Sequence, residues 1–237
     1  MKNTGIVFEG STYRNVTPPT GFLYDRSRNK NNGALTAVTY TTLASGVRAL
    51  TFNGSTSLIT VTDAPPIQNI FDGGGSILAW VNPASDGEGN TGRIYQKRPN
   101  GWMLIVRNEA AGKMDLVFQQ DFDGTVGQWD TTATTLSINT WALVGVTYNN
   151  SNEANNPIFY IGDSTGFSVL TMSSGLTETA TPVGTRVSDA TVDLIVGNLA
   201  AVSSTFDGMI NAHRLYNYNL TVGQIREIFD AEVADYV

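Results

Sequence analysis

Aromatic and planar polar side chains occur together in the middle of the chain, and proteins bind sugars with this combination. The aromatic ring stacks on the C–H face of a sugar, while planar polar groups hydrogen-bond its hydroxyls. The candidates are Tyr95, Trp102, Gln119, Asp121 and Trp129. They predict a glycan-binding surface, provided that the tryptophan rings are exposed.

Exposure of the tryptophans is an open question in the sequence, since Trp is mostly buried on average. Trp80 and Trp141 stand inside apolar runs and are expected in the core. Trp102 and Trp129 follow a glycine and a glutamine, and this setting allows either a buried or an exposed ring. Both remain candidates for sugar stacking.

The residues needed for catalysis are scarce. The chain has no Cys and a single His, His213, which excludes thiol catalysis, Cys-ligated zinc and any mechanism with two imidazoles. A lone His with no nearby Ser is expected to be a buried structural residue rather than a base. The sequence therefore predicts that the protein is not an enzyme.

Charge and composition limit the partners. Among 237 residues there are 14 Lys or Arg and 21 Asp or Glu, a net charge of −7. With no general positive field, neither nucleic acid nor membrane insertion is expected, and no apolar run is long enough to span a bilayer. The hydrophobic fraction of 41% is sufficient for a core, and the length suits one all-β domain.

Short runs rich in Val, Ile, Thr and aromatic residues recur between Gly, Asn, Asp and Pro, which is typical of an all-β protein. The predicted strands are Ile6–Glu9, Arg48–Phe52, Leu58–Val61, Ser76–Val81, Arg93–Lys97, Trp102–Arg107, Met114–Gln119, Gln128–Thr132, Trp141–Tyr148, Ile158–Ile161, Phe167–Met172, Leu194–Val196 and Met209–Tyr216. Apolar residues at both parities in Ser76–Val81 and Trp141–Tyr148 predict strands covered on both faces. The alternation across Met114–Gln119 predicts one wetter face.

One helix is predicted, close to the C-terminus. Thr221 can cap it, Gln224 completes a capping box, and an apolar stripe runs from Ile225 to Val233. The helix is expected to lie against the strands.

Short motifs in a fixed order carry a resemblance to a known family. They are Tyr24-Asp25-Arg26-Ser27 followed by Asn29–Gly33, Arg48–Gly54, Ile77–Val81, Asn139–Val144, Val196–Asn198, Phe206–Ile210, Arg214–Asn217 and Leu220–Ile225. The set covers nearly the whole chain and resembles laminin G-like, concanavalin A-like jelly-roll domains. It implies a sandwich of two antiparallel sheets over residues 21–237, with residues 1–20 as an N-terminal edge strand or an attachment arm.

The resemblance also indicates where catalysis and calcium would be found. Catalytic relatives carry E-x-D-x-x-E or E-x-D-x-E on one strand, and neither spacing occurs here. Many laminin G-like domains bind calcium, and Asn53 and Asp207 fall where such relatives place oxygen-bearing turns. We therefore predict no required cofactor, with a structural calcium at Asn53 and Asp207 as an option; the alternative is that these residues form Asx turns.

Such folds serve lectins, glycosidases, lyases and adhesive modules, so the fold alone leaves function open. We expect a non-catalytic adhesive module on the virion surface, as a phage capsid decoration, tail or fibre protein that contacts host glycans. The fold usually works outside cells, and no export signal opens the chain. The alternative is a secreted, extracellular lectin or a fragment of a polysaccharide-degrading enzyme. The expected partners are other virion or surface proteins, cell-surface glycans and further copies of this chain.

Overall fold

A computed structural model describes residues 5–132 and 135–237, and these residues form two antiparallel sheets and one helix. In spatial order the first sheet contains β16 (Gly166–Leu170), β15 (Ile158–Asp163), β14 (Ala142–Tyr148), β8 (Gly75–Pro83), β19 (Asp207–Tyr216), β6 (Val47–Asn53) and β2 (Tyr13–Arg14). Two more strands join it, β1 (Ile6–Glu9) beside β19 and β5 (Thr39–Thr42) beside β6.

The second sheet contains β17 (Leu176–Ala180), β12 (Gly127–Thr131), β11 (Lys113–Gln120), β10 (Trp102–Ala110), β9 (Thr91–Gln96), β18 (Leu194–Val196), β7 (Leu58–Val61), β4 (Gly33–Thr36) and β3 (Phe22–Leu23). Strand β13 (Leu136–Ser137) also pairs with β11. Short 3-10 turns occur at Pro65–Ile67 and Glu88–Asn90. The predicted all-β class, with two antiparallel sheets and one C-terminal helix, is confirmed.

The main core lies between the sheets and is rich in aromatic rings. Phe71 contacts Trp102 and Phe118 edge-on, with centroids 5.3 and 5.2 Å apart. Strands β8 and β14 are buried on both faces, as their apolar residues at both parities predict. The sequence pattern did not predict strands β4, β5 and β17, because their exposed threonines give no apolar alternation.

The loop after β3 is organised by one buried carboxylate. Asp25 is 2% exposed and accepts hydrogen bonds from the backbone N–H of Glu9, Ser27 and Asn31, at 2.8 to 2.9 Å. The Ser27 hydroxyl donates to the same carboxylate at 2.7 Å. This network explains the Asp-x-Ser spacing physically, since the carboxylate ties the loop to β1.

Residues 5–20 contribute β1 and β2, and both strands pair within the first sheet. The remainder of the predicted N-terminal segment, residues 1–4, lies outside the described residues.

The helix α1 (Val222–Tyr236) packs on the face of the first sheet that is turned away from the core. Thr221 and Gln224 form the predicted capping box. The Trp80 ring of β8 stacks against the helix side chains Phe229 and Tyr236, with centroids 5.9 and 4.5 Å away. Within the described residues, no helix is long and apolar enough to cross a membrane.

One helix carboxylate joins α1 to the sheet through polar contacts, and its removal should loosen the helix. Glu232 Oε2 accepts from Trp80 Nε1 at 2.9 Å and from Arg214 Nη1 at 3.1 Å. Because Glu232→Ala leaves Arg214 and the indole N–H without this acceptor, we expect the free energy of unfolding to fall by about 2 kcal/mol or more. Urea denaturation measures it.

Glu227→Ala provides the matched control, since Glu227 is an exposed residue of the same helix. It should change the free energy of unfolding by less than about 0.5 kcal/mol. Equal midpoints for the two variants would show that the Glu232 contacts do not hold the helix.

Candidate functional site

The predicted aromatic residues lie in the core. Tyr95, Trp102 and Trp129 are 0%, 1% and 0% exposed. The Tyr95 hydroxyl donates to the carbonyl of Leu78 at 3.0 Å, and Trp129 Nε1 donates to Asn156 Oδ1 at 2.7 Å. The interpretation that these rings stack on a sugar is wrong, because the parity of their strands turns them toward the first sheet.

The two polar candidates lie together on the other side of the second sheet. Arg98 Nη1 donates to Gln119 Oε1 at 2.7 Å, and Arg98 Nε donates to Asp121 Oδ2 at 3.1 Å. Arg98 Nη2 also pairs with Asp121 Oδ1 at 3.0 Å. The structure thus separates the predicted set: Gln119 and Asp121 are brought together by an arginine, and the three aromatic residues face away from them.

Paired strands place residues on this side in continuous rows, since directly opposed residues share a face of a sheet. One row contains Phe22, Ala34, Thr60, Ile195, Gln96, Met103, Gln119 and Gln128. A second row contains Arg93, Ile105, Val117, Asp130 and Thr177. These two rows, together with Arg98 and Arg107, are named the outer face.

An apolar strip lies at the centre of the outer face, and two arginine side chains contact it. Met103, Ile105 and Val117 are 5%, 3% and 0% exposed although they point away from the main core. Arg93 and Arg98 both contact the sulfur of Met103. The prediction of a wetter face on β11 holds at the start of the strand, where Lys113 is exposed and Asp115 is half-buried, whereas Val117 and Gln119 farther along the same face are buried.

The outer face carries three arginines, and two of them are paired with carboxylates. Arg98 pairs with Asp121 and Arg107 pairs with Asp130, whereas Arg93 forms no ion pair within the described part of the chain. Burial and the nearby charge of Arg98 lower the pKa of Arg93 to about 10. Its guanidinium therefore stays charged at neutral pH.

Both carboxylates near the centre of this face are engaged by arginines. Asp121 and Asp130 are each 7% exposed, and each lies in an ion pair. Glycoside hydrolysis needs one carboxyl that donates a proton and a second that acts on the sugar or on water. In this structure Asp121 and Asp130 each hold one arginine of the outer face in place.

The calcium candidates meet at one end of the first sheet. Asn53 pairs with Asp207 in the register of β6 and β19. Asn53 Oδ1 accepts from the backbone N–H of Ser55, Thr56 and Ser57, so its oxygen closes a turn. No cluster of three or more His, Cys, Asp or Glu that could hold a metal occurs in residues 5–132 and 135–237. Calcium at this place stays a prediction.

His213 is buried, as the sequence predicts. Its ring lies 3.0 Å, Nδ1 to hydroxyl, from Tyr95, and its Nε2 has no hydrogen-bond partner in the described structure. Burial and the charge of Arg214 lower its pKa to about 3. His213 is therefore a neutral core residue at physiological pH and is not suited to act as a catalytic base.

A second candidate place is a cleft of about 560 Å³ beside β1, lined among others by Arg28, Asn29, Pro65 and Asn217. Its wall includes Gly5, the first residue that the structure describes. Arg28 is an exposed side chain at its edge. The outer face is the better candidate because its polar groups converge on one strip and are held there by strand register.

Comparisons with known proteins agree with this architecture. The chain matches the binding domain of Paraclostridial Mosquitocidal Protein 1 with a TM-score of 0.67 at 17% identity, covering 95% of this chain and 52% of that chain. The chain shares its fold with toxin binding domains. The receptor-binding domain of botulinum neurotoxin mosaic serotype C/D gives a TM-score of 0.62 at 14% identity, over 95% of this chain and 51% of that one.

The receptor-binding domain of botulinum neurotoxin type G gives a TM-score of 0.59 at 14% identity, covering 93% of this chain and 50% of that chain. The chain thus spans about half the length of these matched structures. At such identities the likeness establishes the fold. No family model matches the chain, and no curated protein matches its sequence. The jelly-roll expectation therefore holds for the fold, and laminin G-like membership stays a prediction.

Proposed function

We propose that this chain is a non-catalytic binding module that presents the outer face of its second sheet to a cell-surface glycan. The observation that carries the proposal is the outer face itself, where amide and guanidinium groups surround a narrow apolar strip. Sugars offer the matching chemistry, since their hydroxyls pair with planar polar groups. The strip itself is buried and supports the polar side chains from below. The toxin domains of similar fold are binding domains by name, which supports a binding role.

The aromatic stacking that lectins often use is replaced in this proposal. With the tryptophans buried, guanidinium planes supply the flat surfaces, and Gln96, Gln119 and Gln128 supply donors and acceptors along one row. Arg98 is already held in place by Gln119 and Asp121, so it loses little conformational freedom when a ligand binds.

We also propose that the chain lies on the outside of a larger assembly, such as a phage virion. Its partners there are other surface proteins or further copies of this chain. Exposed apolar side chains near the start of the domain support attachment: Val16 and Tyr24 are 53% and 47% exposed. Light scattering measures the oligomeric state of the protein. Repeating it with and without calcium tests whether a structural calcium affects that state.

A glycan array on the purified protein tests the binding function. We expect retention of a subset of glycans, and we expect oligosaccharides recovered from the protein to keep their original length. Failure to retain any glycan would contradict the binding role, and shortened oligosaccharides would show an enzyme.

A further inference from the structure

Arg93 differs from the other arginines of the outer face in having no counterion. Arg98 and Arg107 each have a carboxylate, whereas the Arg93 contact recorded in the described structure is Nη1 to the sulfur of Met103. Its Nε is buried without a hydrogen-bond partner. A neutral sulfur is a poor acceptor for a guanidinium, so most of the donor capacity of Arg93 is unused.

A partly buried guanidinium without a counterion is unfavourable in free energy. This chain contains enough carboxylates to supply one. Acidic residues outnumber basic ones by 21 to 14, yet none in the described structure pairs with Arg93. Positive charge on Arg98 nearby raises the cost further, and the lowered pKa of Arg93 reflects both effects. An anion from outside would remove this cost and would gain charge-assisted, forked hydrogen bonds.

The surroundings of Arg93 define what kind of anion fits. Arg93 is opposite Ile105 in the sheet register, and the neighbouring row carries the amide of Gln96 and the sulfur of Met103. A small inorganic anion would use the guanidinium alone. A sugar that carries an acidic group would use the guanidinium and the neighbouring amides together.

We propose that Arg93 binds the anionic group of an acidic glycan, a sugar carboxylate or a sulfate ester, and thereby selects acidic over neutral glycans. This inference rests on the proposed function and adds to it the chemical class of the ligand. The neutral hydroxyls of the same glycan lie against the glutamine row, and Arg98 adds a second positive charge without leaving Asp121.

Binding to matched pairs of immobilised glycans tests the inference: sialyllactose against lactose, dextran sulfate against dextran, and polygalacturonate against its methyl ester. We expect the wild-type protein to prefer the acidic member of at least one pair by about tenfold or more, because charged hydrogen bonds are the stronger kind. The preference should weaken as salt is raised. The pair that shows it distinguishes a carboxylate from a sulfate.

Arg93→Gln should remove the preference while leaving weaker binding that is equal within each pair. Arg93→Lys keeps the charge without the forked geometry and should retain part of the preference, which also covers the case in which the glutamine variant does not fold. Arg28→Gln removes the same formal charge at the exposed edge of the cleft beside β1 and should leave the preference unchanged.

Equal wild-type binding within all pairs, unaltered by Arg93→Gln, would overturn the acidic-group inference and leave the glycan-binding function standing. Loss of the preference in Arg28→Gln rather than in Arg93→Gln would also overturn it and would place the anion in the cleft. Absence of binding to every glycan, on this set and on the array, would overturn both proposals.

Discussion

Replacing Lys97 by Met should lower the free energy of unfolding by about 3 to 5 kcal/mol, because it removes the cation from a buried cluster of charges. The Lys97 side chain is 0% exposed, and its ammonium lies 3.0 Å from Asp63 and 3.6 Å from Asp189. It also donates to the carbonyl of Val192 at 2.6 Å. Without it, two neighbouring carboxylates, one of them only 4% exposed, have lost their shared counterion.

The two carboxylates respond differently to their surroundings. Burial raises the pKa of Asp189 against the opposing charge of Lys97. Burial acts in the same direction on Asp63, but hydrogen bonds from Lys97 and Gln68 outweigh it and lower the pKa of Asp63. Lys97→Met combined with Asp189→Asn should therefore recover part of the lost stability, since neighbouring charges are coupled.

Urea denaturation of Lys97→Met beside Lys113→Met measures the effect. Lys113 is exposed, so its replacement should shift the free energy of unfolding by less than about 0.5 kcal/mol. If both variants unfold at the same urea concentration, the buried cluster does not stabilise the fold.

Lowering the pH from 7 to 5 should cost the wild-type protein about 2 kcal/mol of stability through His213 alone. The imidazole pKa is about 3 in the folded chain and near 6.5 in its ordinary state. Between these pH values His213 is protonated in the unfolded chain and neutral in the folded chain. Its contribution to the free energy of unfolding is therefore complete above pH 6.5 and falls as the pH drops toward 3. Protonation in the fold would put a charge beside Arg214 in an apolar core.

His213→Leu should flatten this part of the pH profile, since leucine has no proton to gain. Urea denaturation of both proteins at pH 7 and pH 5 isolates the histidine, because most carboxylates titrate below this window. An equally steep loss of stability in His213→Leu would show that other groups cause the pH dependence.

Sequence reasoning finds the strands with strong apolar patterns, since alternation and burial are local consequences of strand geometry. It also finds α1, because a capping box and an apolar stripe are encoded within a few turns. The face of the sheet to which the Trp102 and Trp129 side chains point was harder to predict from the sequence. A signal existed for Trp129, which stands between the polar residues Gln128 and Asp130 and so takes the opposite face of its strand.

The outer face itself could not be found from local spacing. Pairing of β9 with β10 brings Arg93 and Arg107 to one face, and Arg98, in the loop after β9, reaches the same face through Gln119 and Asp121. The burial of Val117 depends on side chains from neighbouring strands, which a single-strand pattern does not contain. Register between strands is a long-range property, and the site depends on it.

Blocking the outer face with one bulky side chain tests the central claim most directly. Thr60 lies in the long row of the outer face and is partly exposed, whereas Thr42 is an exposed strand residue of the first sheet. On the glycan array, Thr60→Trp should lose most of the binding and Thr42→Trp should bind like the wild-type protein. Undiminished binding by Thr60→Trp, with binding lost in Thr42→Trp, would show that the ligand contacts the first sheet instead.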